Sequence, residues 1–217
     1  MKKYYLLKRI VFFSILIIGL AQTSCNKKNI TINELMLELQ DGDIIFQTSL
    51  SAQSKAIQLA THSKYSHMGM IYKKDQAIYV FEAVQPVKLT PLEVWIKRGK
   101  NEHFVVKRLK ESDKVLSPEV KLKIKELGKQ FLGKDYDIYF EWTNNRIYCS
   151  ELVWKIYKQA ANIEIGKLET LEDFDLSNEV VKKILVERYG DKIPNNEIVI
   201  SPESMFNSEK LITIFEN

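Results

Sequence analysis

Tyr148-Cys149-Ser150-Glu151 runs directly into Leu152, Val153, Ile156, Tyr157 and Ala160, and the spacing of those apolar residues predicts an amphipathic helix that begins at the cysteine. A thiol at that place sits at the positive end of the helix macrodipole, a setting that favours the nucleophilic thiolate. Cysteine is also among the residue types most often buried. On position alone, a core cysteine and an activated thiol are both open.

The N-terminus bears on that choice. Lys2, Lys3, Lys8 and Arg9 form a basic stretch, followed by the apolar segment Ile10 to Ala21. The segment is shorter than the about 18 apolar residues that a membrane-spanning helix requires. Ser24 then precedes Cys25. The arrangement resembles a bacterial lipoprotein signal, with Gln22 standing where a Leu-like residue is usual. It implies a leader over residues 1–24, a lipid on Cys25, a tether over 25–32 and one domain over 33–217. The expected location is the bacterial cell envelope, at the periplasmic or outer-membrane face, with the membrane reached through the lipid on Cys25.

The charge and cysteine balance follow from this division. Taking the four basic leader residues from 32 Lys+Arg leaves 28, against 28 Asp+Glu. No basic excess then remains in the mature chain, which excludes an electrostatic argument for nucleic acid. The chain has two cysteines, Cys25 and Cys149. With Cys25 lipidated, Cys149 has no intramolecular disulfide partner in an oxidising compartment, which points to intermolecular pairing or a working thiol.

Periodicity predicts a short helix over Asn33–Gln40, a strand over Ile44–Gln47 after the turn Asp41-Gly42-Asp43, and a helix over Ser51–Thr61. Two strands follow, His67–Tyr72 and Ala77–Ala83, joined by Lys73-Lys74-Asp75-Gln76; Phe104–Leu109 is another. Ser117-Pro118-Glu119 is a helix start, with Ser as N-cap and Pro in the first turn. Val120, Ile124, Leu127 and Phe131 share its inner face, and Gly133 ends it. A loop from Lys134 to Tyr148 leads to the Cys149 helix. Asn178–Tyr189 is a helix closed by Gly190, and Glu197–Ile200 and Leu211–Phe215 are strands. The class is α+β, with a mostly antiparallel sheet and helices packed on it.

A thiolate enzyme needs a base beside the sulfur and a group that orients the base. The histidines are His62, His67 and His103. No two have helical i, i+4 spacing and no carboxylate or cysteine cluster completes a ligand set, so no metal site and no cofactor are expected. A hairpin turn centred on Lys74-Asp75 sets Tyr72 opposite Ala77 and His67 opposite Glu82, within about 4.5–5.5 Å between Cβ atoms. Glu82 shares a face with Ile78 and Val80, where a carboxylate is costly unless partnered. His67 is its expected partner, held in one tautomer. A surface His–Glu pair of little consequence is the alternative reading.

Gly42-Asp43-Ile44-Ile45, Tyr65-Ser66-His67-Met68-Gly69, Phe81-Glu82-Ala83 and Tyr148-Cys149-Ser150-Glu151-Leu152-Val153 together resemble the YiiX-like proteins, circularly permuted relatives of the NlpC-type papain-like cysteine hydrolases. Thr90-Pro91-Leu92 and Trp95 fit the same pattern. The resemblance implies a permuted papain-like fold with the nucleophile at a helix N-terminus. It implies Cys149 as nucleophile, His67 as base and Glu82 as the orienting residue, and permutation accounts for histidine preceding cysteine. Gly133-Lys134-Asp135-Tyr136 offers Tyr136 as an oxyanion donor, although Asp137-Ile138-Tyr139 stands where Trp-Gly-Gly is usual; a core tyrosine is the other reading. Tyr139, Phe140 and Trp142 either line a groove or cap the core. The expected function is a cell-envelope hydrolase that cleaves an amide, peptide-like bond through an acyl-enzyme. The alternatives are a lipid-directed thiol acyltransferase or esterase of the same fold, and a non-catalytic ligand-binding protein. The partner is a peptide, amino-acid or lipid-like small substrate.

Overall fold

The computed structural model describes residues 32–217. The expected leader and Cys25 lie outside the described residues, as does the tether up to residue 31. Elements run α1 (Ile32–Glu38), β1 (Ile44–Gln47), α2 (Ala52–Thr61), β2 (His67–Lys74) and β3 (Ala77–Glu82). Then come β4 (Lys88–Pro91), α3 (Leu92–Lys97), β5 (Phe104–Leu109), α4 (Ser112–Val115) and α5 (Pro118–Phe131). The chain continues through α6 (Cys149–Ala161), β6 (Glu169–Thr170), α7 (Glu179–Tyr189), β7 (Ile198–Val199), α8 (Pro202–Phe206) and β8 (Leu211–Glu216).

Among the described residues, six strands form one antiparallel sheet in the order β4-β3-β2-β1-β5-β8, and β6 pairs with β7 apart from it. Alternation along each strand sends side chains to two buried faces. Phe46, Met68, Met70, Phe81 and Val105 face α5 and α6, where Ile124, Phe131, Leu152 and Ile156 complete the main core. Ile45, Ile71, Val80 and Val106 face the other way, onto Leu35 of α1, Leu39 just after it, and Leu92 and Trp95 of α3. Because both faces are covered, all four residues of β1 are buried.

Local signals set the elements around the site. Ser51 caps α2 by accepting from Ser54 N–H, and Ser117 caps α5 by accepting from Val120 N–H. Gly42 turns the chain into β1 at φ +93°, and its carbonyl accepts from the Tyr157 hydroxyl of α6. That bond ties the base of the cysteine helix to the sheet.

The β2–β3 register corrects the expected one. Met70 pairs with Phe81, Ile71 with Val80 and Lys74 with Ala77, so the turn is Asp75-Gln76 rather than Lys74-Asp75. Both turn residues have positive φ, 49° and 64°, the geometry of a two-residue hairpin loop whose twist matches the strands. The ladder is displaced by two residues, and a displacement of two keeps every side chain on its expected face. Glu82 therefore falls opposite Gly69, not His67.

Candidate active site

Helix α6 places Cys149 in its first turn, buried at 2 % exposure. Ser150 donates its hydroxyl to Ile200 O at 2.6 Å, and Glu151 Oε2 accepts from Tyr148 N–H at 3.4 Å. Glu151 also pairs with Lys155 at 2.7 Å, and Lys155 reaches back to Thr143 O and Asn144 Oδ1 in the preceding loop. The helix start and the loop that delivers it are thereby fixed together.

His67 opens β2 and so lies at the end of the sheet, where the two faces meet. Its Nε2 lies 2.6 Å from Glu82 Oε2, and its ring stacks on Trp95 of α3 with centroids 6.0 Å apart. On the side of α6, Cys149 lies near enough to act on the pKa of the same imidazole. Nε2 is occupied by Glu82, which leaves Nδ1 for the sulfur. Burial lowers the His67 pKa, but hydrogen bonds and attraction from Cys149 and Glu82 outweigh it and raise the value to about 9.

Glu82 has no exposed surface. Burial pushes its pKa up, and the partners more than reverse that, holding it at about 2. Besides His67, Thr90 Oγ1 donates to Oε1 at 2.5 Å and Trp95 Nε1 to Oε2 at 2.9 Å. Arg98 Nη2 donates to both oxygens, at 2.6 and 2.7 Å. A buried carboxylate survives only when its lone pairs are filled and its charge is matched. The sequence reading named one partner and missed Thr90, Trp95 and Arg98. A signal existed: Trp95 and Arg98 are three apart, the spacing that puts two side chains on one side of a helical turn.

The other histidines lie elsewhere. His62 is exposed beside Asp175 at 3.2 Å, and His103 Nδ1 bonds Asn217 O at 2.7 Å. Tyr136 joins the site: it lines one cavity with Cys149, and its hydroxyl accepts from Gln53 Nε2 at 2.8 Å. Cys149 is the first residue of α6, so its own N–H has no intrahelical acceptor.

Two cavities meet at this point. One, of about 100 Å³, holds Cys149 against apolar side chains of α2 and α7, among them Ala56, Ile57, Val181 and Leu185. The other, of about 630 Å³, contains His67 with Gln47, Ser49, Arg98 and Arg146. Gln53, Ile57 and Tyr136 belong to both. Phe140 lines the first cavity and packs edge-on against Tyr148 at 5.1 Å, Tyr139 lines the second, and Trp142 packs on Trp154 at 5.3 Å. The groove and core readings of the three aromatics thus divide among them. The helix expected over Asn178–Tyr189, given no role from sequence, is α7 and supplies one wall.

The chain has relatives in sequence and in fold. The YiiX protein of Escherichia coli (strain K12) is 49% identical over 175 residues, which cover 81% of this chain and 85% of that protein. A crystal structure titled as the metalloprotein YiiX from Escherichia coli O157:H7 superposes with a TM-score of 0.78 at 49% identity, covering 82% of this chain and 97% of that one. Residues 38–215 match the family described as permuted papain-like amidase enzymes, YaeF/YiiX, C92. The chain therefore belongs to the YaeF/YiiX family of permuted papain-like amidases.

Proposed function

We propose that the chain is a lipid-anchored cysteine hydrolase of the bacterial cell envelope that cleaves an amide, peptide-like bond through an acyl-enzyme. The observation that carries this reading is His67 bonded to the fully buried, fully partnered Glu82, with Cys149 near enough to help raise its pKa. In the forward step the thiol proton passes to His67 Nδ1 and Sγ bonds to the carbonyl carbon. The carbonyl electron pair moves to oxygen, which faces the Cys149 N–H and the Tyr136 hydroxyl. Collapse breaks the C–N bond, and His67 gives its proton to the departing nitrogen. Water then attacks the thioester, His67 takes its proton, and the sulfur leaves and recovers it. Glu82 keeps Nε2 as the protonated nitrogen throughout. The lipid on Cys25 holds the domain at the membrane.

A thiol-reactive probe tests this on the mature protein. Cys149 labels faster at neutral pH than a free thiol, and His67→Ala removes the advantage. Labelling at the free-thiol rate in both proteins would falsify the proposal.

The relative of known structure is titled a metalloprotein. Among the described residues no group of three or more His, Cys, Asp or Glu side chains is arranged to hold a metal ion, and His67 Nε2 is committed to Glu82. The residues do not fit a metal, and no step runs through one.

A second reading rests on the apolar cavity at Cys149. It keeps the nucleophile and makes the acyl donor a lipid. Mass spectrometry of Cys149 after incubation with envelope extract separates the two: a peptidyl adduct supports the amidase, and a fatty acyl adduct supports lipid chemistry.

A further inference from the structure

Helix α7 does more than wall a cavity. Its Arg188 is half-buried, with the guanidinium 5.4 Å from the centroid of the Phe140 ring, and Nη2 donates to Gln53 Oε1 at 2.8 Å. The amide of Gln53 in turn donates from Nε2 to the Tyr136 hydroxyl at 2.8 Å. The direction of this chain is fixed by chemistry. A guanidinium has donors and no acceptor, so the Gln53 atom facing it must be the oxygen, and the atom facing Tyr136 must be the NH₂. Tyr136 oxygen therefore accepts from Gln53, and the single hydroxyl proton is left to point elsewhere. Cys149 lines the same cavity as Tyr136.

We infer that Arg188 and Gln53 are positioning residues that orient the Tyr136 O–H toward the carbonyl oxygen attacked by Cys149. The inference rests on the acyl-enzyme reading above. It gives the segment from Glu169 to Tyr189 a role in chemistry: α7 sets the polarity of a hydrogen-bond relay that ends at the oxyanion. The Arg188 charge, one amide removed, adds a field that favours negative charge on that oxygen. The apolar residues packing α7 on α2, Val181 and Leu185 against Ala56, hold the relay in register.

Gln53→Glu tests the relay at almost constant shape. The introduced carboxylate has only acceptors. It binds Arg188 at least as well, but it draws the Tyr136 proton to itself and away from the oxyanion. The assay compares two reagents on Cys149: p-nitrophenyl acetate, whose attack forms an oxyanion, and iodoacetamide, whose displacement forms none. Gln53→Glu is expected to slow acylation about 100-fold while alkylation stays within about threefold, the signature of one lost oxyanion donor. Its melting temperature is expected to hold or rise. In a Tyr136→Phe background the same substitution adds no further loss. Wild-type acylation rates in Gln53→Glu, an equal fall with both reagents, or a full additional loss on top of Tyr136→Phe overturns the relay alone. A wild-type protein that p-nitrophenyl acetate does not acylate overturns the acyl-enzyme reading and the relay with it.

Discussion

His67 Nε2 lies 2.6 Å from Glu82 Oε2, although the β2–β3 ladder sets Glu82 opposite Gly69. The two side chains meet on the diagonal of the ladder, where neighbours are about 7–8 Å apart at the backbone and long side chains still touch. Gly69 is what leaves the diagonal open. A Cβ there would overlap Val80 Cγ1 and lie 2.8 Å from Phe81 O and 3.3 Å from Glu82 Cβ.

Gly69→Ala is accordingly expected to destabilise the fold by about 1–3 kcal/mol, the usual cost of overpacking a tight site. Urea denaturation measures this. The same variant separates His67 from Glu82, so probe labelling of Cys149 slows beyond what the stability loss explains. A variant as stable and as reactive as wild type would show that the diagonal needs no glycine.

Glu82→Gln keeps the shape and removes the charge. His67 then loses its anionic partner, and Arg98 is left without a counter-charge. Breaking one partner of a buried ion pair costs about 3–5 kcal/mol, although Arg98 is 39% exposed at its side chain and regains some water. Thermal unfolding reports the loss. Acylation of Cys149 falls about 100-fold or more, within the range for a misplaced acid–base group. Retention of the wild-type rate would remove Glu82 from the mechanism.

The pH response follows from the two shifts. His67 is raised from 6.5 to about 9, so its contribution to stability is complete below pH 6.5 and is lost as pH rises through 9. Glu82 is lowered from 4.5 to about 2, so its contribution is complete above pH 4.5 and is lost as pH falls toward 2. Stability from this pair is therefore greatest between these limits. Wild type is expected to lose more stability than His67→Ala between pH 6 and pH 9.5 in chemical denaturation, and equal losses would contradict the raised value. Turnover of an amide falls through about pH 9 as the imidazolium needed by the leaving nitrogen disappears.

The proposed anchor is tested separately. Cys25→Ser removes the lipid attachment point, so the protein moves from the membrane to the soluble fraction, while Cys149 labelling is retained. Mass spectrometry of the N-terminal peptide of the wild type shows the lipid mass directly. A Cys25→Ser protein that stays with the membrane would refute lipidation at that residue.

Much of the framework was legible because it is written in local patterns. β1 and β5 fall at their expected residues, and α5 and α6 start where a Ser-Pro pair and the Cys149 run place them. Those signals depend on neighbours within a few residues. β4 and α3 were not legible as elements. β4 is a four-residue edge strand ending in proline, and α3 has six residues, too few for either period to show. Yet these two supply Thr90, Trp95 and Arg98, which make the buried charge of Glu82 tenable.

The sequence by itself determined the α+β class, the cysteine at a helix start, and the side of the hairpin on which His67 and Glu82 both fall. Parity along a strand is a property of the chain alone and survives a two-residue displacement. Only the tertiary structure decided the register, because it depends on two positive φ angles at Asp75 and Gln76 that those residue types do not announce. It also decided which distant groups close on the site: Arg98 on Glu82, and Arg188 through Gln53 on Tyr136. Those contacts join residues separated by 16 to 135 positions. No spacing rule reaches that far, and the packing of α3 and α7 against the sheet and α2 is what brings them together.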